Sequence, residues 1–123
     1  MSEPFILLSM FFCHVIDDYY LQGILASMKQ KDWWKANAPE TMYKNDYIVA
    51  LIMHSFSWSF MIMLPIFASS SFQIGGAEIV VLITNAVCHA KVDDLKANAK
   101  NINLWIDQAI HCVQILWTFT LFF

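Results

Sequence analysis

The chain carries four histidines, and three of them stand three or four residues from an aspartate inside apolar sequence: His14 with Asp17 and Asp18, His89 with Asp93, and Asp107 with His111. On a helix that spacing sets both side chains on one face, so each pair can present an imidazole nitrogen and a carboxylate oxygen to one point. His54 stands alone, between Ile52, Met53, Phe56 and Trp58. Neutral imidazoles combined with carboxylates are a donor set for divalent metals, zinc first, with manganese or iron next. The four histidines and Asp17, Asp18, Asp93, Asp94 and Asp107 outnumber the donors that one ion requires, so the set suits one ion or two. His14, His54, His89, Asp93, Asp107 and His111 are the expected ligands. Asp17 or Asp18 is then the expected general base. Gln22, Asn85, Gln108 and Gln114 are expected to hydrogen-bond behind the ligands or toward a substrate.

These residues need elements that bring them together, and composition says which. The 123 residues are 59% hydrophobic and 14% charged, against roughly 25% charged in a soluble domain. Apolar stretches at about 4–27, 47–69, 76–95 and 103–123 each supply the ~20 residues that cross a bilayer as a helix. The expected fold is therefore all-α: a single integral membrane bundle of four transmembrane helices with no separate soluble domain. A small cytosolic bundle is the alternative, but the run from Tyr47 to Ser69 has no charge at all. A secretory signal does not fit the first stretch, which lacks a basic leading region and is interrupted by Asp17 and Asp18.

Depth and facing agree with one shared site. Asp18 lies 11 residues before Lys29, His54 10 after Lys44, His89 7 before Lys96 and His111 11 after Lys100. At helical rise each falls roughly 10 to 17 Å from a lysine anchor, in one layer. Asn85, His89, Asp93 and Lys96 form one stripe on the third stretch, and Asp107, His111, Gln114 and Thr118 form another on the fourth. Lipid cannot solvate such stripes, so they must face each other. Cys13-His14 with Asp17-Asp18 is echoed by Cys88-His89 with Asp93-Asp94, the pattern of two parallel helical hairpin repeats. The three cysteines themselves point about 100° away from their neighbouring histidines and form no disulfide framework.

The chain has no arginine, so orientation rests on lysine. Lys29, Lys31, Lys35 and Lys44 lie on the first connection and Lys91, Lys96 and Lys100 near the third, whereas the link from Ser69 to Gly76 is uncharged. The positive-inside rule puts the lysine-bearing connections, and with them the site, on the cytoplasmic side of a bacterial inner membrane, termini outside. Trp33, Trp34 and Tyr43 suggest that the first connection lies along the membrane surface, with Pro39 breaking any helix in it.

His14-x-x-Asp17-Asp18 followed by Leu21-Gln22, the central His54, His89-x-x-x-Asp93-Asp94-x-Lys96 and Asp107-Gln108-x-x-His111 resemble a family of small bacterial and phage membrane proteins with spaced His/Asp motifs and no assigned function. The likeness covers nearly the whole chain. More distantly the arrangement is similar to membrane-bound metal-dependent hydrolases. The absence of arginine fits an AT-rich coding genome, phage included.

The expected function is that of an integral membrane metalloprotein with a divalent-metal site in the cytoplasmic half, acting as a hydrolase on a phosphoryl or acyl group of a lipid-like substrate. Two alternatives use the same residues or none of them. A proton or ion channel, or a transporter subunit, would need a homo-oligomer, and a phage membrane factor would act through a host membrane partner. Hydrogen-bonded His/Asp pairs that merely hold helices together are the plainest reading. No nucleic acid is expected as a partner. The orientation has a direct check: in a background without native cysteines, Ser70→Cys should react with a membrane-impermeant thiol reagent added outside, and Ala36→Cys should not. The reverse pattern would invert the topology.

Overall fold

Pro4 stands in the first turn of the first helix, where a missing N–H deprives no carbonyl of its partner. From there the computed structural model, which describes residues 1–123, is helical throughout and contains no strand. Its elements are α1 (Glu3–Ile16), a π-helical turn (Asp17–Leu21), α2 (Leu25–Met28), α3 (Lys31–Asn37), a 3-10 turn (Thr41–Tyr43), α4 (Tyr47–Ser69), α5 (Gly76–Ala97) and α6 (Leu104–Phe122). Asn103 caps α6 by accepting the Ile106 N–H at 3.0 Å. Glu78 accepts the Gly75 N–H at 2.9 Å at the start of α5.

The first span is shorter than the sequence suggests. It stops at Leu21, because Gly23 has φ +54°, a left-handed conformation that a helix cannot continue through. Residues 25–28 form a separate turn of helix. Two helical segments, Glu3–Leu21 and Thr41–Ser69, are long and apolar enough to cross a membrane. The other two expected spans fall short of that standard. α5 contains Glu78, Lys91, Asp93, Asp94 and Lys96, and α6 contains Asp107, Gln108, His111 and Gln114.

α4 packs against α1 and α5, and α6 closes the bundle between α5 and α1, leaving α1 diagonal to α5. Asp18 near the end of the first span and Asp93 near the end of α5 meet His54 early in α4 and His111 early in α6. Hence α1 and α5 run parallel, opposite to α4 and α6, and the polar site lies at the end that carries the lysine-bearing connections. The other half is apolar: Ile6, Met10, Ile62, Met63, Ile66, Phe67, Val81 and Ile115 are buried together there.

Burial is inverted relative to a water-soluble domain. Thirteen of the 26 buried residues are polar or charged, while Phe12, Ile52, Phe56, Ile83, Val87, Val113 and Leu116 project outward. Outward apolar and inward polar is the arrangement that a lipid environment rewards.

The first connection does not lie loose on the surface. Asn98 at the end of α5 accepts the Lys31 N–H at 2.7 Å and donates to the Lys29 carbonyl at 3.0 Å. The Trp34 indole donates to the Met28 carbonyl at 2.6 Å. Lys100 pairs with Asp32 at 3.2 Å and holds that carboxyl below its usual range. Together these contacts fold α2 and α3 over the polar end and carry Lys29, expected to be a surface anchor, into the interior, where it is 6% exposed. Gly23 is the pivot. A Cβ there meets nothing closer than 3.9 Å, so Gly23→Ala should cost the strain of the left-handed backbone alone, roughly 1–2 kcal/mol. Gly23→Asn should cost less, because asparagine tolerates that region. Thermal unfolding in detergent checks both, and equal stability of all three proteins would remove Gly23 from this role.

Candidate metal centre

Three donor atoms define the first part of the site. His54 Nε2 is 3.2 Å from Asp18 Oδ1 and 3.1 Å from His89 Nε2, and His89 Nε2 is 3.8 Å from Asp18 Oδ1. Donors bound at ~2.0–2.1 Å around a tetrahedral zinc stand roughly 3.3–3.4 Å apart, so these edges bracket that length. A second triad joins His89, Asp93 and His111. Asp93 reaches both triads. Its Oδ2 is 3.4 Å from His54 Nε2 and 3.7 Å from His89 Nε2, and its Oδ1 is 3.7 Å from His111 Nε2. These buried His/Asp groups could hold a metal ion.

The local elements explain the convergence. His89 and Asp93 are one turn apart on α5, as are Asp107 and His111 on α6 and His14 and Asp18 along the first span. The π-helical turn keeps Asp17 and Asp18 both inward, at 1% and 9% exposure, and such turns recur at functional positions. Trp58 of α4 forms the floor. Its indole stacks on His89 at 4.2 Å, and His89 stacks in turn on His111 at 4.2 Å.

Around these donors lies a supporting shell. Asp17 Oδ2 is 3.6 Å from His54 Nδ1, and Asp17 Oδ1 accepts the Ser57 hydroxyl at 2.5 Å, so a carboxylate stands behind the imidazole whose other nitrogen faces the centre. Gln114 Oε1 is 3.2 Å from His111 Nδ1, which leaves His111 Nε2 for the centre. The Gln114 amide donates to the Asn85 carbonyl at 3.3 Å, and Asn85 donates to Thr118 Oγ1 at 2.7 Å. Gln108 bridges His14, Asp107 and Asp18. Gln22 donates to the Asp18 carbonyl at 2.9 Å.

Set against the sequence expectation, His54, His89, Asp93 and His111 come together with Asp18. One expected ligand stands apart from the triads and another stands at their edge. Both ring nitrogens of His14 are engaged, Nδ1 by the Trp58 indole N–H at 2.8 Å and Nε2 by Gln108 at 3.0 Å. Asp107 pairs through Oδ2 with Lys96 at 2.7 Å, while its Oδ1 lies 3.3 Å from His111 Nε2. Sequence reasoning missed Lys29, whose ammonium donates to Asp93 Oδ2 at 2.6 Å, and it also missed Trp58 and Ser57. Nothing in the local sequence marks Lys29 as different from the other lysines of its connection.

Charge and satisfaction both bear on an ion. With the imidazoles neutral, Asp17, Asp18, Asp93 and Asp107 carry four negative charges, against the two ammonium groups of Lys29 and Lys96 that pair with them. Asp17 Oδ2, Asp107 Oδ1 and His111 Nε2 are buried without a hydrogen-bond partner. Buried polar atoms are rarely left so, and orphaned donors beside excess carboxylate fit a cation. Comparison with protein-family models, with curated proteins and with solved structures found no match. Function therefore has to be read from this geometry.

The Lys29–Asp93 pair gives a direct test. Breaking a buried ion pair from one side strands the other charge, so Lys29→Met should destabilise the protein by about 3–5 kcal/mol in chelator. Adding Asp93→Asn should restore part of that loss, and a double-mutant cycle from thermal unfolding would measure it. Independent, additive effects would show that the two groups do not pair.

Proposed function

We propose that the protein is an integral membrane metalloprotein in which α1, α4, α5 and α6 all span the bilayer. In this reading a divalent cation sits between Asp18, His54, His89, Asp93 and His111 in the cytoplasmic half, and the centre serves a metal-dependent hydrolase acting on a lipid-like substrate. The observation that carries the metal is the set of edges of 3.1, 3.2 and 3.8 Å among Asp18, His54 and His89. With the imidazoles neutral and all four carboxylates ionised, one divalent ion would cancel the charge that Lys29 and Lys96 leave over. Spanning by α5 and α6 is supported by their outward faces, where Ile79, Ile83, Val87, Val113 and Trp117 are exposed.

A bound divalent ion supplies a Lewis acid and acidifies water. The chain's own residues divide the remaining work. Asp17 is held behind His54 and Ser57, whereas Asp18 lines a cleft of about 170 Å³ together with Tyr19, Lys29, Asp93 and Gln108. Asp18 is thus the carboxylate of the pair with access to a substrate-borne or water proton. Zinc suits this nitrogen and oxygen donor set, with manganese and iron as alternatives.

A proton or ion pathway is favoured by one feature, the ladder from His111 through Gln114 and Asn85 to Thr118. Around and beyond it the half from Ile6 to Ile115 is mainly apolar, and Ser59, buried there, spends its hydroxyl on the Leu82 carbonyl at 2.6 Å. The metal reading accounts for more of the site.

Elemental analysis of protein purified without added metal should find one or two equivalents of zinc, manganese or iron. His89→Ala and His111→Ala should each lower that content, and the double variant should be little worse than either, as expected of groups acting as one unit. Metal-free wild-type protein would sink the proposal, as would additive losses of stability with metal content unchanged.

A further inference from the structure

Beside the acidic cleft lies a recess lined by lysines, each of which pairs with a carboxylate that stands outside its walls. Its volume is about 450 Å³, and its walls carry Lys29, Lys96 and Lys100 with Gln22 and Gln30 and no carboxylate. The recess and the cleft share Gln22, Lys29 and Lys96, so the recess opens onto the cleft where Asp18 and Asp93 stand. An ammonium has three N–H donors. Lys29 gives one to Asp93 and Lys96 one to Asp107, which leaves two on each. Lys100 is held at the rim by Asp32, at 3.2 Å and largely in solvent. Gln22 Oε1 is buried with no partner and supplies an acceptor.

We propose that this recess binds the phosphate group of the substrate, delivered as a lipid headgroup, with Lys29 and Lys96 at its inner side and Lys100 at its entrance. Three point charges around one recess match a multiply charged anion with several oxygens, where a carboxylate would use only one or two of them. The unpartnered Gln22 oxygen suits a hydroxyl carried by the same headgroup. A lipid source follows from the rim. Tyr19 and Leu104 line the cleft and are each 55% exposed, and Tyr20 and Trp105 beside them are 78% and 86% exposed. This apolar border lies between the end of the first span and the start of α6, where a headgroup could enter sideways while its chains stay in lipid. The proposal names the substrate class of the metal centre proposed above and rests on that reading for its chemistry, though the binding itself does not require the ion.

The test is binding of radiolabelled inorganic phosphate to the full chain in dodecyl maltoside micelles, which contain no phosphate, with bound metal measured on the same samples. Lys100→Gln should weaken phosphate binding about tenfold, the loss expected for one charge-assisted contact. Asp32→Asn, which frees Lys100, should strengthen it. Lys44→Gln, on a distant part of the connection, should change nothing, and metal content should stay constant throughout. Phosphatidic acid added to the micelles should displace the phosphate far better than soluble glycerol phosphate. Absence of phosphate binding, or binding indifferent to both Lys100 and Asp32, overturns the recess. Equal displacement by the soluble ester overturns the lipid source. Lys100-dependent phosphate binding by metal-free protein would uphold the recess and sink the metal centre. Bound metal with Lys100-independent phosphate binding would do the reverse.

Discussion

Four carboxylates buried within a bundle whose outside is apolar must find positive charge or donors inside it, and that requirement organises everything else in this protein. Lys29 and Lys96 each answer one of them, at 2.6 and 2.7 Å. The Ser57 hydroxyl and four imidazoles meet the remainder in part. Ionised groups left unpaired at such depth would cost several kcal/mol each, more than a bundle of this size could absorb several times over. The polar end is therefore a single coupled unit.

The folding of the first connection follows from that demand. A lysine on a free loop would remain in water, but Gly23 turns the chain and Asn98 ties residues 29 and 31 to the end of α5. The connection thereby becomes a lid that supplies a cation. The same fold places the His/Asp groups that could hold a metal on one side of Lys29 and Lys96 and a lysine-lined recess on the other.

The apolar half plays the complementary part. Ile62, Met63, Ile66 and Phe67 of α4 pack with Ile6, Met10, Val81 and Ile115 on the far side of the histidines from the first connection. Trp58 joins the halves. It belongs to the apolar cluster by contact, yet its N–H fixes His14 and its face supports His89. Exclusion of water raises the strength of each polar contact in the cluster, since the local dielectric falls.

The sequence by itself determined that the chain is helical and that histidines and aspartates one turn apart would share faces, because both follow from periodicity and local spacing. Asp18, His54, His89 and His111 do share one layer, but the lysine reference behind that expectation fails, since the helix breaks at Gly23 and Lys29 enters the site instead of marking a surface. Tertiary structure decided which of these side chains meet. His14 has the same local signature as His89, and only packing against Trp58 and Gln108 engages it elsewhere. Lys29 lies 64 residues from Asp93 along the chain, and no local pattern can report a contact that a left-handed glycine and an asparagine latch create. Spacing fixes the face of a helix, whereas the partner across the bundle is fixed by the fold.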